Sequence, residues 1–147
     1  MSETTAPRYA IAIGRFYEDL SMRLEYGARQ VFKEAGAELD VFDVPGAFEL
    51  PLAAKFCADS GRYAGVACLG AVIRGETDHY DYVCGEAARG IMEVNLRTGV
   101  PCSFGVLTVD NMEQALARSG GDKRDSGRHA AEAVLALLAV KEKLAAG

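Results

Sequence analysis

The chain is poor in reactive and metal-binding side chains. Its only cysteines are Cys57, Cys68, Cys84 and Cys102, and no two share C-x-x-C spacing. That argues against a thioredoxin-type redox motif and against a zinc ribbon. The four thiols read as small buried residues of a protein in a reducing compartment, the cytoplasm. The sharper alternative is a catalytic thiol beside His79, with Cys84 the nearest in sequence, yet nothing in the sequence marks a thiol as activated. Histidines number two, His79 and His129, too few and too far apart for a finger-type zinc site, so no metal is expected. Gly-x-x-x-x-Gly-Lys-Ser/Thr is absent, which excludes a P-loop nucleotidase. No Gly-x-Gly-x-x-Gly follows an apolar run, which disfavours a dinucleotide site.

Excess positive charge is missing too. Sixteen Lys and Arg face twenty-one Asp and Glu, for a net charge of −5, and no basic cluster occurs. Nucleic acid and anionic membranes are therefore not expected partners. No apolar run is long enough to span a bilayer. The start of the chain lacks the basic stretch and apolar run of a secretion signal. Internal repeats, low-complexity tracts and a domain boundary are all missing, so residues 9–147 read as one domain after a short arm, residues 1–8.

What remains is apolar and regularly spaced. Half of the 147 residues are hydrophobic, enough for a sizeable core. Four short apolar runs predict strands: Tyr9–Ile13, Leu39–Val44, Val66–Leu69 and Ser103–Thr108. The second alternates, as an edge strand does. Between them the spacing predicts helices over Glu18–Ala35, Glu49–Ala58, Tyr80–Thr98 and Asn111–Ala117, with a last helix over Arg128–Leu144. Gly36 is a natural stop for the first. Ser119–Gly127 reads as a polar loop, and residues past Leu144 as frayed. Strands alternating with helices imply a parallel sheet covered on both faces. Ligands of such sheets bind at the carboxyl ends of the strands.

The chain's polar and aromatic singletons collect at those ends. The richest stretch is Gly70-Ala71-Val72-Ile73-Arg74-Gly75-Glu76-Thr77-Asp78-His79-Tyr80. A strand entering a helix through this turn aims backbone N–H groups at one point, which suits an anion. His79 stands at the helix start, where the dipole favours a neutral ring able to take up a proton. It is a candidate proton shuttle, or else a local cap. His129 heads the last helix without a motif and reads as a surface residue. Arg118 is either a bidentate phosphate clamp or a solvated cation at a helix C-terminus. Phe16, after Gly14-Arg15, either packs or stacks on a heteroaromatic ring. Glu49, after Gly46-Ala47-Phe48, either suits the helix dipole or accepts hydrogen bonds from substrate hydroxyls.

Four blocks in order carry a family likeness: Gly14-Arg15-Phe16; Val44-Pro45-Gly46-Ala47-Phe48-Glu49-Leu50-Pro51; the stretch from Gly70 to Tyr80; and Phe104-Gly105-Val106-Leu107-Thr108 with Glu113-Gln114-Ala115. From Tyr9 to the final helix the chain resembles the lumazine synthases. The resemblance implies a flavodoxin-like sandwich with sheet order 2-1-3-4 and no redox cofactor. It implies condensation of 5-amino-6-(D-ribitylamino)uracil with 3,4-dihydroxy-2-butanone 4-phosphate to 6,7-dimethyl-8-ribityllumazine. It further implies a homopentamer with active sites between subunits; decamers, sixty-subunit shells and a riboflavin synthase partner occur among such proteins.

Site roles follow from the same resemblance. Phe16 stacks on the pyrimidine. Gly46, Ala47 and Phe48 shape its pocket, and Glu49 bonds the ribityl hydroxyls. Ala71 lines the pocket, and the backbone of Val72 and Ile73 holds the uracil edge. Gly75, Glu76 and Thr77 present N–H groups to phosphate, and His79 is the general acid/base. Phe104 and Arg118 come from the adjacent subunit, to close the pocket and to bind phosphate. Two positions depart from the pattern. Ser126 stands where many relatives carry Lys, with Lys123 or Arg124 as nearby substitutes, and Tyr17 stands where many carry Asn. These departures leave open a non-catalytic binder of riboflavin or lumazine. A receiver domain of similar topology is disfavoured, because no acidic pair and acceptor Asp follow the first and third strands.

Overall fold

The apolar runs form four parallel strands in the computed structural model, which describes residues 6–121 and 124–147. They are β1 (Arg8–Gly14), β2 (Glu38–Val44), β3 (Val66–Ile73) and β4 (Cys102–Val109). Helices α1 (Glu18–Glu34), α2 (Leu50–Asp59), α3 (His79–Thr98), α4 (Met112–Ala117) and α5 (Ser126–Ala146) connect and follow them. The sheet order is β2-β1-β3-β4, as the family likeness implies. The alternating run is indeed at an edge. Residues 1–5 of the arm and Lys123 lie outside the described residues.

Two apolar layers sandwich the sheet. Leu20, Leu24, Val31 and Phe32 of α1, with Ala130 and Val134 of α5, cover one face against Ile11, Ile13 and Leu69. Leu50 and Ala54 of α2, with Val83, Ile91 and Val94 of α3, cover the other against Ala10, Ala12 and Cys68. β1 is buried on both sides, which its unbroken apolar run requires. Asn95 fastens α3 to β4. Its amide donates to the Cys102 carbonyl at 2.7 Å and accepts from the Cys102 N–H at 2.7 Å. Among the described residues no helix is long and apolar enough to cross a membrane.

Three boundaries differ from the sequence reading by two residues or more. β3 continues four residues past Leu69, because its register with β4 runs on to Ile73 opposite Val109. Gly70 does not break it; its missing Cβ lets Leu50 pack against the strand. α5 begins at Ser126 rather than Arg128, since Asp125 caps it by accepting from the Arg128 N–H at 3.0 Å. Gly127 is thus inside the helix. An added Cβ there would lie 2.1 Å from the Leu24 carbonyl oxygen, so this glycine serves close helix packing, not a turn. The helix then continues to Ala146 instead of fraying after Leu144.

Candidate active site

β3 outruns its neighbour. β1 pairs with β3 only from Ala10–Val66 to Ile13–Leu69, whereas β4 accompanies β3 to Ile73. The backbone edge of Gly70–Ile73 that faces β1 therefore has no strand partner, and its polar groups are open to a ligand. This overhang stands where the chain order reverses, between β1 and β3, the switch point of an open parallel sheet. A cleft of about 720 Å³ opens there. Such a volume suits a small organic ligand.

Two walls and the floor of the cleft come from strand ends. Phe16 and Tyr17 follow β1, their rings edge to face with centroids 4.9 Å apart. Phe16 is 75% exposed, an open aromatic face rather than a core residue. Pro45 through Glu49 follow β2. Gly46 donates its N–H to Glu49 Oε1 at 2.9 Å, which holds the carboxylate over the first turn. Gly14 permits the approach of the two walls: a Cβ there would meet the Gly46 carbonyl carbon at 2.8 Å. Ala71, Val72 and Ile73 form the floor.

The third wall is the start of α3, with His79, Tyr82 and Val83. These positions, i, i+3 and i+4, share one helix face. The loop before it, residues 74–78, is fastened from below. The Arg74 N–H donates to the Val109 carbonyl at 2.9 Å. Its guanidinium bonds Asp110 at 3.1 Å and lies 4.2 Å from the centre of the Tyr80 ring. The backbone N–H groups of Gly75, Glu76 and Thr77 make no hydrogen bond among the described residues. Thr77 Oγ1 accepts from the His79 N–H at 3.3 Å and keeps its own hydrogen to donate. His79 is exposed, and its imidazole has no partner among the described residues.

The structure thus brings Phe16, Gly46, Ala47, Phe48, Glu49, Ala71, Val72, Ile73 and His79 to one cleft. Gly75, Glu76 and Thr77 stand exposed in the loop leading into it. Phe104 and Arg118 are not among its lining residues. Phe104 is 42% exposed on edge strand β4, and Arg118 ends α4, where its Nη1 donates to the Gln114 carbonyl at 3.0 Å. Tyr82, 70% exposed on the cleft wall, is absent from the sequence-based set. Its spacing of three from His79 is the signal that points to it.

Thiol chemistry does not fit this site. Burial pushes the Cys84 thiol up, although Tyr80 opposes this by hydrogen bonding. Burial pushes Cys102 up to about 12 and Cys68 well above its ordinary value. All four cysteines are unpaired and none is an activated nucleophile. Among the described residues no three His, Cys, Asp or Glu side chains gather to hold a metal ion.

Sheet order, layers and cleft together define an α/β protein of the flavodoxin-like type, with its candidate site at the switch point. The model of one family, 6,7-dimethyl-8-ribityllumazine synthase, matches residues 6–142. A protein of that name from Salinibacter ruber is 46% identical over 140 residues, covering 93% of this chain and 90% of the relative. Another from Deinococcus radiodurans is 48% identical over 134 residues, 89% of this chain and 84% of the relative. A third from Spinacia oleracea, named as chloroplastic, is 45% identical over 126 residues, 84% of this chain and 57% of that protein. The chain belongs to the 6,7-dimethyl-8-ribityllumazine synthase family.

Proposed function

We propose that this chain condenses 5-amino-6-(D-ribitylamino)uracil with 3,4-dihydroxy-2-butanone 4-phosphate in the cleft at the β1/β3 switch point. The products are 6,7-dimethyl-8-ribityllumazine, phosphate and water, and the enzyme is a transferase of riboflavin biosynthesis. The observation that carries the site assignment is the overhang of β3. It offers an unpaired backbone edge to a pyrimidine directly beside the open face of Phe16.

The roles follow from chemistry. Phe16 stacks on the pyrimidine while Gly46, Ala47, Phe48 and Ala71 shape the pocket around it. Val72 and Ile73 hold the uracil edge through their backbone. Glu49 has one carboxylate oxygen bound to Gly46 and one left to accept from ribityl hydroxyls. Gly75, Glu76 and Thr77 turn free N–H groups to the phosphate, and the Thr77 hydroxyl adds a donor. The substrate amine attacks the ketone, and loss of water gives an imine. Removal of a proton and departure of phosphate follow, then tautomerisation and attack of the second nitrogen on the remaining carbonyl, which loses a second water as the ring closes. Each step moves a proton, which is the task of His79. Holding two polar substrates side by side supplies much of the remaining rate gain.

A neighbouring copy completes the site with Phe104 over the ring and Arg118 on the phosphate, within a homopentamer. Pentamers paired or gathered into a sixty-subunit shell, and an association with riboflavin synthase, are further arrangements open to such a ring. Unpaired thiols suit a reducing compartment such as the cytoplasm. The test is to incubate the purified chain with both substrates and follow lumazine formation by absorbance, with sedimentation velocity on the same sample. No lumazine, together with tight flavin binding, would replace this reading with a binding protein. A monomer that turns over at full rate would remove the shared site.

A further inference from the structure

The turn that carries Arg118 is held from outside by a second arginine. Arg23, on α1, is 93 to 97 positions distant from the groups it bonds. Its Nε donates to Ser119 Oγ at 2.9 Å. Its Nη2 donates to the Leu116 carbonyl at 3.1 Å and the Gly120 carbonyl at 3.2 Å. These acceptors flank Arg118 on both sides. One of them, the Leu116 carbonyl in the last turn of α4, also accepts from the Ser119 N–H at 3.4 Å and the Ser119 hydroxyl at 3.3 Å, so Arg23 joins a turn that is already locally bonded.

The backbone of Arg118 itself is pinned as well. Its N–H donates to Ala115 at 3.2 Å, and its carbonyl accepts from the Ser126 N–H at 2.9 Å. The start of α5 then rests on α1. An added Cβ at Gly27 would fall 2.5 Å from an Asp125 carboxylate oxygen, and one at Gly127 only 2.1 Å from the Leu24 carbonyl. Helix α1 is thus the rail on which residues 116–121 and 124–127 are aligned, and Arg23 is the only side chain of that rail with hydrogen bonds on both sides of Arg118 among the described residues. Among the described residues only Nη1 of Arg118 is committed, to the Gln114 carbonyl. The remaining guanidinium donors can face outward toward an anion.

We infer that Arg23 is a positioning residue for phosphate capture: it fixes the turn that aims Arg118 at the phosphorylated substrate bound by a neighbouring copy. A clamp that must reach across a subunit boundary has no help from its own cleft, so its aim depends on the stiffness of its mount. Bidentate contacts lose much of their value when misaligned by an ångström. This inference rests on the proposed role of Arg118, and the experiment separates the two.

Arg23→Met keeps an unbranched apolar stem and removes all three hydrogen bonds; Arg23→Lys keeps the charge without the fork. Steady-state kinetics are measured for both variants, for Arg118→Ala and for Arg23→Met/Arg118→Ala, with melting temperature and sedimentation as folding checks. Inorganic phosphate serves as a competing probe of the anion site. Arg23→Met should raise KM for the butanone phosphate about tenfold, leave KM for the pyrimidine within about twofold, and weaken inhibition by phosphate. Arg23→Lys should restore part of that loss. In the double variant, Arg23→Met should add nothing to the loss of Arg118→Ala, because it acts only through that residue. A folded, assembled Arg23→Met with unchanged KM values overturns the inference, as do losses that multiply in the double variant, which would mean Arg23 touches phosphate itself. Should Arg23→Met fail to fold, Arg23→Lys decides: an unchanged KM in that variant overturns the inference equally. An unaltered KM in Arg118→Ala defeats instead the reading of Arg118 on which the inference stands.

Discussion

Replacing His79 by Ala isolates the proton-transfer role from everything else the site does. The ring lines the cleft and forms no hydrogen bond among the described residues, while the local turn is secured by the His79 backbone N–H on Thr77 Oγ1. That backbone bond survives the substitution, and alanine is well suited to a helix start, so stability should stay within about 0.5 kcal/mol. The catalytic cost is different. General acid–base catalysis is worth between about a hundredfold and ten-thousandfold. No carboxylate or carbonyl orients this imidazole within the described chain, which places His79 at the low end. The expected loss in kcat is about a hundredfold, equivalent to about 2.7 kcal/mol of barrier. Neither substrate is held by the ring in this reading, so both KM values should move by less than about twofold. The assay follows lumazine absorbance under saturating substrates, with the melting temperature read on the same preparation. A fall in kcat of less than about threefold, with the fold intact, would show that solvent or a substrate group carries the protons, and the assignment of His79 would be refuted.

Three further outcomes test the packing and charge on which the site rests. Gly127→Ala forces a Cβ to within 2.1 Å of the Leu24 carbonyl and should destabilise the protein by about 3 kcal/mol, read by urea unfolding; a loss below about 1 kcal/mol would mean that α5 is free to slide. Burial pushes the Glu25 carboxyl up, but hydrogen bonds from Arg29 and Arg15, each 2.6 Å, outweigh it and hold the group below its ordinary value. Its contribution is therefore fully present above the ordinary carboxylate range and is lost as pH falls through the lowered value. Glu25→Gln should cost about 1–2 kcal/mol at neutral pH, and the gap to the parent should close in acid; a gap independent of pH would reject the coupling. Ser103 buries a hydroxyl with no partner among the described residues, so Ser103→Ala should raise stability by about 1 kcal/mol, and a lower melting temperature would point to an unseen partner.

Much of this molecule is readable from its periodicities because the core is layered. A strand buried on both faces must be a continuous apolar run, and β1 and the first half of β3 are such runs. A helix on one face must repeat at three and four, and Leu20, Leu24, Ala28 and Val31 do so. The reading stops short where one residue type has two physical uses. Gly70 looks like the start of a loop, yet it lies inside β3 against Leu50. Gly127 looks like a breaker, yet it allows α1 and α5 to touch. Neither use leaves a local signal, since each depends on an element distant in sequence. The site shows the same division. Phe16, Glu49 and His79 stand out beside strand ends before any fold is known, and the family likeness adds the backbone contacts. Arg23 could not be found this way. It is one more charged residue of an amphipathic helix until α4 is folded against it.

The arrangement of these parts also constrains how copies can meet. The cleft opens at the junction of β1 and β3, whereas Phe104 stands on edge strand β4 and Arg118 follows α4, and neither lines the cleft of its own chain. If both serve the cleft of a neighbouring copy, the surface that offers them differs from the surface that receives them. A two-fold dimer can make such a contact twice, reciprocally, only where the two surfaces lie side by side; otherwise the contact is heterologous. Repeated head to tail, a heterologous contact either closes into a ring or runs on as a filament. A ring leaves every cleft filled and no apolar patch at an end, so it is the closed form that gives each copy a complete site. In the proposed ring, loss of closure should therefore also remove activity. Mixing Arg118→Ala with His79→Ala subunits, each deficient alone at butanone phosphate concentrations well below KM, should restore activity there through mixed interfaces that pair an intact cleft with an intact clamp. For random mixing in equal amounts, about one interface in four joins two intact partners, so recovery should approach a quarter of the parent rate. No recovery after verified exchange of subunits would mean that each copy carries its own clamp, and the shared site would be lost with it.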